Sequence, residues 1–209
     1  FLLGSLLAVF SYEAIIAGIG ALITVPLVFF LVIAFPDPKH PQGAPVREGV
    51  GLLKNPLLVL LGLVLFFESG MEIACGGWLS SFITNEFAMS GSRAAVILSL
   101  YWLGMMGARI ALNRILKTSS HAKVFIASIL IALAGTVLLI ASGTVGAASA
   151  GVILLGIGLA AAYPVILGYV GSMYPDISGT AFSIVLVMAL AGGMAIPYLM
   201  GILGAYFGF

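Results

Sequence analysis

Six apolar runs, each long enough to cross a bilayer and each bounded by a short polar segment, limit what this chain can fold into. They cover about residues 12–35, 56–84, 92–113, 122–141, 146–173 and 178–201. About 20 apolar residues are needed to span the hydrocarbon as a helix. Inside it every backbone N–H and C=O must be satisfied within its own segment, so each run is expected to be helical. Composition points the same way. The chain is 62% hydrophobic and 7% charged, against roughly 25% charge in a soluble domain, and no ordinary core would hide that much apolar surface. The expected fold is therefore all-α, a polytopic helical membrane protein with six full spans.

The same numbers exclude several function classes. A net charge of +1 over 209 residues argues against nucleic-acid binding. A single cysteine, Cys75, rules out an internal disulfide or a Cys-rich metal site. In an apolar helix it reads as a small inert hydrophobe. The chain contains no Walker A loop, no HExxH and no GxSxG, so a nucleotide-driven pump, a zinc protease and a hydrolase of that type have no support. A channel would need a filter loop or a charged ring, and neither is visible. No enzyme activity and no cofactor are expected.

Polar residues set the orientation. With alternating spans, the segments 37–55, 114–121 and 174–178 share one side. Lys39, Arg47, Lys54, Arg109, Arg114, Lys117 and Lys123 lie there or at its edge, and of the Lys and Arg residues only Arg93 is left for the other side. That bias makes the shared side cytoplasmic. Segment 37–55 is the one long loop. It is charged and carries Pro38, Pro41 and Pro45, a composition suited to a linker, with His40 read as a solvated loop histidine. Residues 1–10 are apolar but too short to span, and no basic region precedes the first run, so a signal peptide is not indicated. The expected organisation is residues 1–36 as the end of a first bundle, 37–55 as a cytoplasmic linker and 56–209 as a second bundle, in an internal piece of something larger.

Within the second run, Glu68 and Glu72 stand one helical turn apart on the same face. Counted from Pro56 they lie about 18–24 Å deep. A carboxylate at such depth is costly and marks a functional site by default. Desolvation and mutual repulsion disfavour charging both, so the pair should hold a proton or face a cation. No Lys or Arg of the present spans is expected at that level, which leaves missing chain, a proton, a bound cation or a solute as the partner. The alternative for either is a protonated carboxyl donating to a backbone carbonyl. Gly70, Gly76 and Gly77 suit close helix approach, substrate approach or a bend. Trp78 is read as a cavity or interface aromatic. In the third run, Tyr101 and Trp102 either line a cavity beside Glu72 or simply pack. Arg109 and Arg114 are placed at the cytoplasmic end, snorkelling or pairing with Asp176. In the fifth run Tyr163 precedes Pro164, and Pro164 frees a carbonyl and bends the helix. Broken helices of this kind often build midplane sites. Gly192, Gly193 and Pro197 are a further bend signal in the sixth.

Gly104-Met-Met-Gly-Ala-Arg109-Ile-Ala-Leu-Asn-Arg114 resembles the cytoplasmic Gly-x-x-x-[Gly/Ala]-Arg motif of the major facilitator superfamily, at the junction of its eighth and ninth helices. The loop pattern is similar to helices six to eleven of such a twelve-helix transporter. Phe66-Phe-Glu68-Ser-Gly-Met-Glu72-Ile-Ala-Cys-Gly-Gly-Trp78, Ser99-Leu-Tyr101-Trp102 and Tyr163-Pro164 are similar to segments of its fucose-permease-like group. Glu68 is an acid that this pattern does not include. The resemblance implies alternating access for a small polar solute, a sugar first of all, with proton coupling, in a bacterial inner (plasma) membrane. It makes Glu72, Trp78, Tyr101, Trp102 and Tyr163 substrate contacts, Glu68 and Glu72 proton-coupling candidates, and Arg109, Arg114 and Asp176 a cytoplasmic gate. The partners would be the solute, protons, the lipid bilayer and an N-terminal bundle of the same chain. Proton-coupled drug or metabolite efflux on the same fold stays open, as does a non-transporting membrane receptor or scaffold.

Overall fold

A computed structural model describes residues 10–34, 49 and 51–207. The stop at Pro36-Asp37-Pro38, most of the linker 37–55 and residues 1–9 lie outside the described residues. The described residues hold seven helices and no strand: α1 (Tyr12–Val32), α2 (Pro56–Glu86), α3 (Gly91–Thr118), α4 (His121–Ile140), α5 (Val145–Leu159), α6 (Ala162–Met173) and α7 (Ser178–Phe207). Taking α5 and α6 as one segment, six are long and apolar enough to cross a membrane.

The chain divides into two compact units, residues 1–43 and 44–209. The first contains α1. Ser11 starts this helix by accepting the Ala14 N–H at 3.3 Å. The helix is apolar on every side, the pattern of a helix whose surroundings are lipid or other helices.

The second unit holds α2–α7. Asn55 caps α2 by accepting the N–H groups of Leu57 and Leu58, and Pro56 fills the first helical position, where a missing N–H is harmless. Ser120 and Thr144 cap α4 and α5 in the same way. At the other end of α2 the chain turns through residues 87–90. Met89 N–H bonds the Thr84 carbonyl and Ala88 takes a left-handed φ of 47°. This is a Schellman turn with alanine where glycine is usual.

Two cores result. One joins α3, α4 and α5 with the far end of α2, around Tyr101, Met105, Val152 and Leu155. The other joins α2, α6 and α7 around Leu58, Leu65, Val170 and Val185. Glycine sets the closest crossings. A Cβ at Gly192 of α7 would strike the Phe66 carbonyl of α2, and one at Gly156 of α5 would strike the Tyr101 carbonyl of α3.

The break between α5 and α6 falls at Ala160 and Ala161, both buried. Its cause is Pro164, which has no N–H for the Ala160 carbonyl and whose ring crowds that carbonyl. Helix α7 runs unbroken through Pro197, and α2 runs unbroken through Gly76 and Gly77.

Candidate functional site

Helix α3 continues nine residues past Arg109 to Thr118. Arg109 is therefore inside the helix and not in its last turn, since α3 runs on through Asn113 and Arg114. Asn113, Arg114 and Lys117 look like turn residues by polarity, but none of them breaks a helix, and α3 carries them as its polar end. The Gly104–Arg109 motif accordingly lies inside α3 and not at its end.

This longer α3 brings Arg109 to Glu72. Its Nη2 donates to Glu72 Oε2 at 3.2 Å, so the carboxylate's partner comes from the present spans after all. The physical reason lies in the turn between α2 and α3. Glu72 is about 14 residues before the end of α2 and Arg109 about 18 after the start of α3, an axial offset of roughly 6 Å at 1.5 Å per residue. A helical side chain leans toward its own N-terminus, so Arg109 reaches back across that offset. The Arg109 side chain is 44% exposed and that of Glu72 17%.

The pair lies on the wall of a cavity of about 730 Å³. Besides Glu72 and Arg109 its polar lining is Ser69, Asn113 and Tyr163, with Pro164 beside Tyr163 and Leu190 contributed by α7. Four helices thus converge: α2, α3, α6 and α7. An adjoining cavity of about 510 Å³ shares Arg109 and Asn113 and adds Trp102. Asn113 and Ser69 went unmarked in the sequence. Asn113 was findable, one turn from Arg109 on the same face.

The other candidates separate from this cluster. Tyr101 is fully buried in the α3–α5 core with its hydroxyl unbonded, edge-on to Trp102 at 5.0 Å between ring centroids. It is not among the residues that line the Glu72 cavity in this structure. Trp102 is half exposed and stands over Gly76 of α2. Trp78 stands over Gly201 of α7. Arg114 and Asp176 are exposed, and the one ion pair among the described residues is Arg109–Glu72. The gate pairing of Arg109 or Arg114 with Asp176 is not formed in this structure, since Arg109 is engaged at Glu72.

Glu68 has a different setting. It is 6% exposed, and neither carboxyl oxygen has a hydrogen-bond partner. It lines a third cavity, about 580 Å³, walled by Phe67, Met71, Phe125, Leu133 and other apolar side chains of α2, α4, α5 and α6. The hydroxyls of Ser128 and Thr136 in that wall are spent on the backbone carbonyls of Phe125 and Ala132. The first turn of α6 serves both cavities, with Ala162 lining that of Glu68 and Tyr163 and Pro164 lining that of Glu72. Among the described residues no cluster of His, Cys, Asp and Glu is arranged to hold a metal ion.

Compared with known families, residues 61–209 match the Major Facilitator Superfamily. No curated protein and no solved structure matches the chain.

Proposed function

The chain belongs to the Major Facilitator Superfamily, and on that premise we propose that it forms the greater part of one bundle of a secondary active transporter. The bundle works by alternating access with proton coupling, and the solute is small and polar, a sugar being the class that the fucose-permease-like resemblance favours. The observation that carries this reading is the Arg109–Glu72 ion pair on the wall of a 730 Å³ cavity, inside two helices long and apolar enough to cross a membrane. Pockets for small molecules run to roughly 300–1,000 Å³, apolar in the main with a few fixed polar groups. Ionisable groups at membrane depth mark solute or proton pathways.

In this reading Glu72 and Tyr163 touch the solute together with Asn113, and Trp102 closes the adjoining side. Glu72 also takes and releases the coupling proton, and Glu68 behind it holds a proton of its own. Trp78 keeps α2 and α7 in register, and Arg114 and Asp176 are left for the cytoplasmic gate of another state. The N-terminal bundle of the same chain supplies the facing wall, linker 37–55 is cytoplasmic, and the membrane is a bacterial inner (plasma) membrane. The test is uptake by the full-length protein carrying Glu72→Gln. Uptake is expected to disappear while folded protein stays in the membrane, and full-rate uptake would remove Glu72 from the mechanism.

A second reading is favoured by the Glu68 cavity. An apolar chamber with one acid suits proton-coupled efflux of an apolar compound. Transport of such a compound that survives Glu72→Gln and fails in Glu68→Gln would select it.

A further inference from the structure

We propose that the groove between α3 and α4 binds one anionic phospholipid of the cytoplasmic leaflet, with an acyl chain along the groove and the phosphate at Lys123. The inference rests on the membrane placement of these helices and is independent of the solute and its coupling.

The groove follows from how three helices pack. A two-residue turn, Ser119-Ser120, joins α3 to α4. Each packs closely on α5, yet the two barely touch each other. Gly156 and Gly158 let α5 close on Tyr101 of α3 and on Ala132 of α4. What is left between α3 and α4 is a cavity of about 400 Å³. Its walls include Ala108, Ala111 and Ile115 of α3 and Ala127 and Ile131 of α4, with Ile157 of α5 as floor. On each helix these positions recur three or four apart and so form one stripe, and alanine at several of them keeps that stripe low. Neither Glu68 nor Glu72 lines it.

Its length fits one leaflet. From Ser119 to Ala108 the groove runs about 16 Å at 1.5 Å per residue, roughly half of a 30 Å hydrocarbon core. Its polar groups gather at one end, where Ser119 and Lys123 form the mouth. The hydroxyl of Ser128 farther in is spent on the Phe125 carbonyl. An apolar channel of this length with a polar mouth suits an acyl chain below a headgroup.

Charge selects the headgroup. Between Phe87 and Pro175 the sequence holds Arg93, Arg109, Arg114, Lys117 and Lys123 and no Asp or Glu. Arg109 is engaged at Glu72. Arg114 and Lys117, near the end of α3, stand at the same end as Lys123 in the first turn of α4. Among the described residues none of these three is in an ion pair. A lysine stem lies along apolar surface and carries its ammonium out to the interface. Basic pockets between helices on the cytoplasmic side recruit acidic headgroups. A free anion would leave the apolar wall unused, and a zwitterionic lipid would add a cation to a basic end.

The test is native mass spectrometry of the full-length protein in neutral detergent, titrated with dioleoyl-phosphatidylglycerol or dioleoyl-phosphatidylcholine. One phosphatidylglycerol should bind, preferred about tenfold over phosphatidylcholine. Lys123→Gln, at the mouth, should remove most of that preference with an unchanged lipid-free melting temperature. Lys117→Gln, off the groove, should lower it only about twofold, since solvent and salt screen it. Ala127→Trp, which fills the groove and leaves every charge in place, should weaken both lipids at this site. Equal binding of the two lipids, or a preference that survives Lys123→Gln, would overturn the proposal. Binding that Ala127→Trp leaves intact and inorganic phosphate displaces would mean a free-anion site at the turn, and would overturn it too. So would a dimer that forms as lipid is stripped and that Ala127→Trp prevents, which would give the groove to a second copy of the chain.

Discussion

Glu68 and Glu72 stand one turn apart on the same helix, yet each opens on a different chamber. Glu72 meets a guanidinium, in a chamber that Asn113 and Tyr163 also line at the convergence of α2, α3, α6 and α7. Glu68 meets aromatic and aliphatic walls and has no hydrogen-bond partner. The contrast comes from the neighbours and not from the acids. Arg109 reaches back along α3 to the level of Glu72, and successive positions in the first turn of α6 put Ala162 on one chamber and Tyr163 and Pro164 on the other. Identical side chains at nearly equal depth are therefore expected to behave differently. Glu72 has a cation beside it, and Glu68 is buried with no hydrogen-bond partner for its carboxyl oxygens.

That contrast can be broken experimentally. The largest effect is expected at the ion pair. Arg109→Gln strands Glu72 without a cation, and initial uptake should fall at least a hundredfold, on the order of 3 kcal/mol. The double variant Arg109→Gln with Glu72→Gln should melt above the single one, because no lone charge is left. Equal melting temperatures would mean that the pair is too solvated to matter. Next comes Glu68→Leu. Removing an unpartnered buried carboxyl in an apolar chamber should raise stability by about 1–3 kcal/mol, read as a higher melting temperature in detergent. A drop would reveal a partner for Glu68. Pro164→Ala gives the Ala160 carbonyl its helical donor back and should straighten the α5–α6 segment. Uptake should slow several-fold as Tyr163 shifts, with stability changed by about 1 kcal/mol or less. The smallest effect belongs to Glu68→Gln, an isostere of the neutral acid. Uptake within about threefold of wild type sharpens the contrast, and a hundredfold loss would make the acids partners in one task.

The spans were legible in the sequence because length and apolarity decide them, whatever their neighbours. Helix ends were less so. Residues 114–118 read as a basic turn, but membrane helices carry polar residues out past the hydrocarbon, and α3 continues through them. An α3 read as ending at Asn113 gives no reason to expect Arg109 at Glu72. The separate fates of Tyr101 and Trp102 were also out of reach. Adjacent helical positions point about 100° apart, and only the docking of α5 at Gly156 decides which of the two is buried. Pro164 was readable because its effect is covalent and local. The single contact that makes Glu72 differ from Glu68 depends on the register of two helices, which no window of sequence contains.

The turn at residues 87–90 fixes that register, and its alanine in a left-handed conformation has a mechanical meaning. It makes α2 and α3 a hairpin of set alignment inside one compact unit. Any rocking of that unit as a body carries Glu72 and Arg109 along together and leaves the distance between them unaltered. The distance between the two charges is thus a property of the hairpin itself.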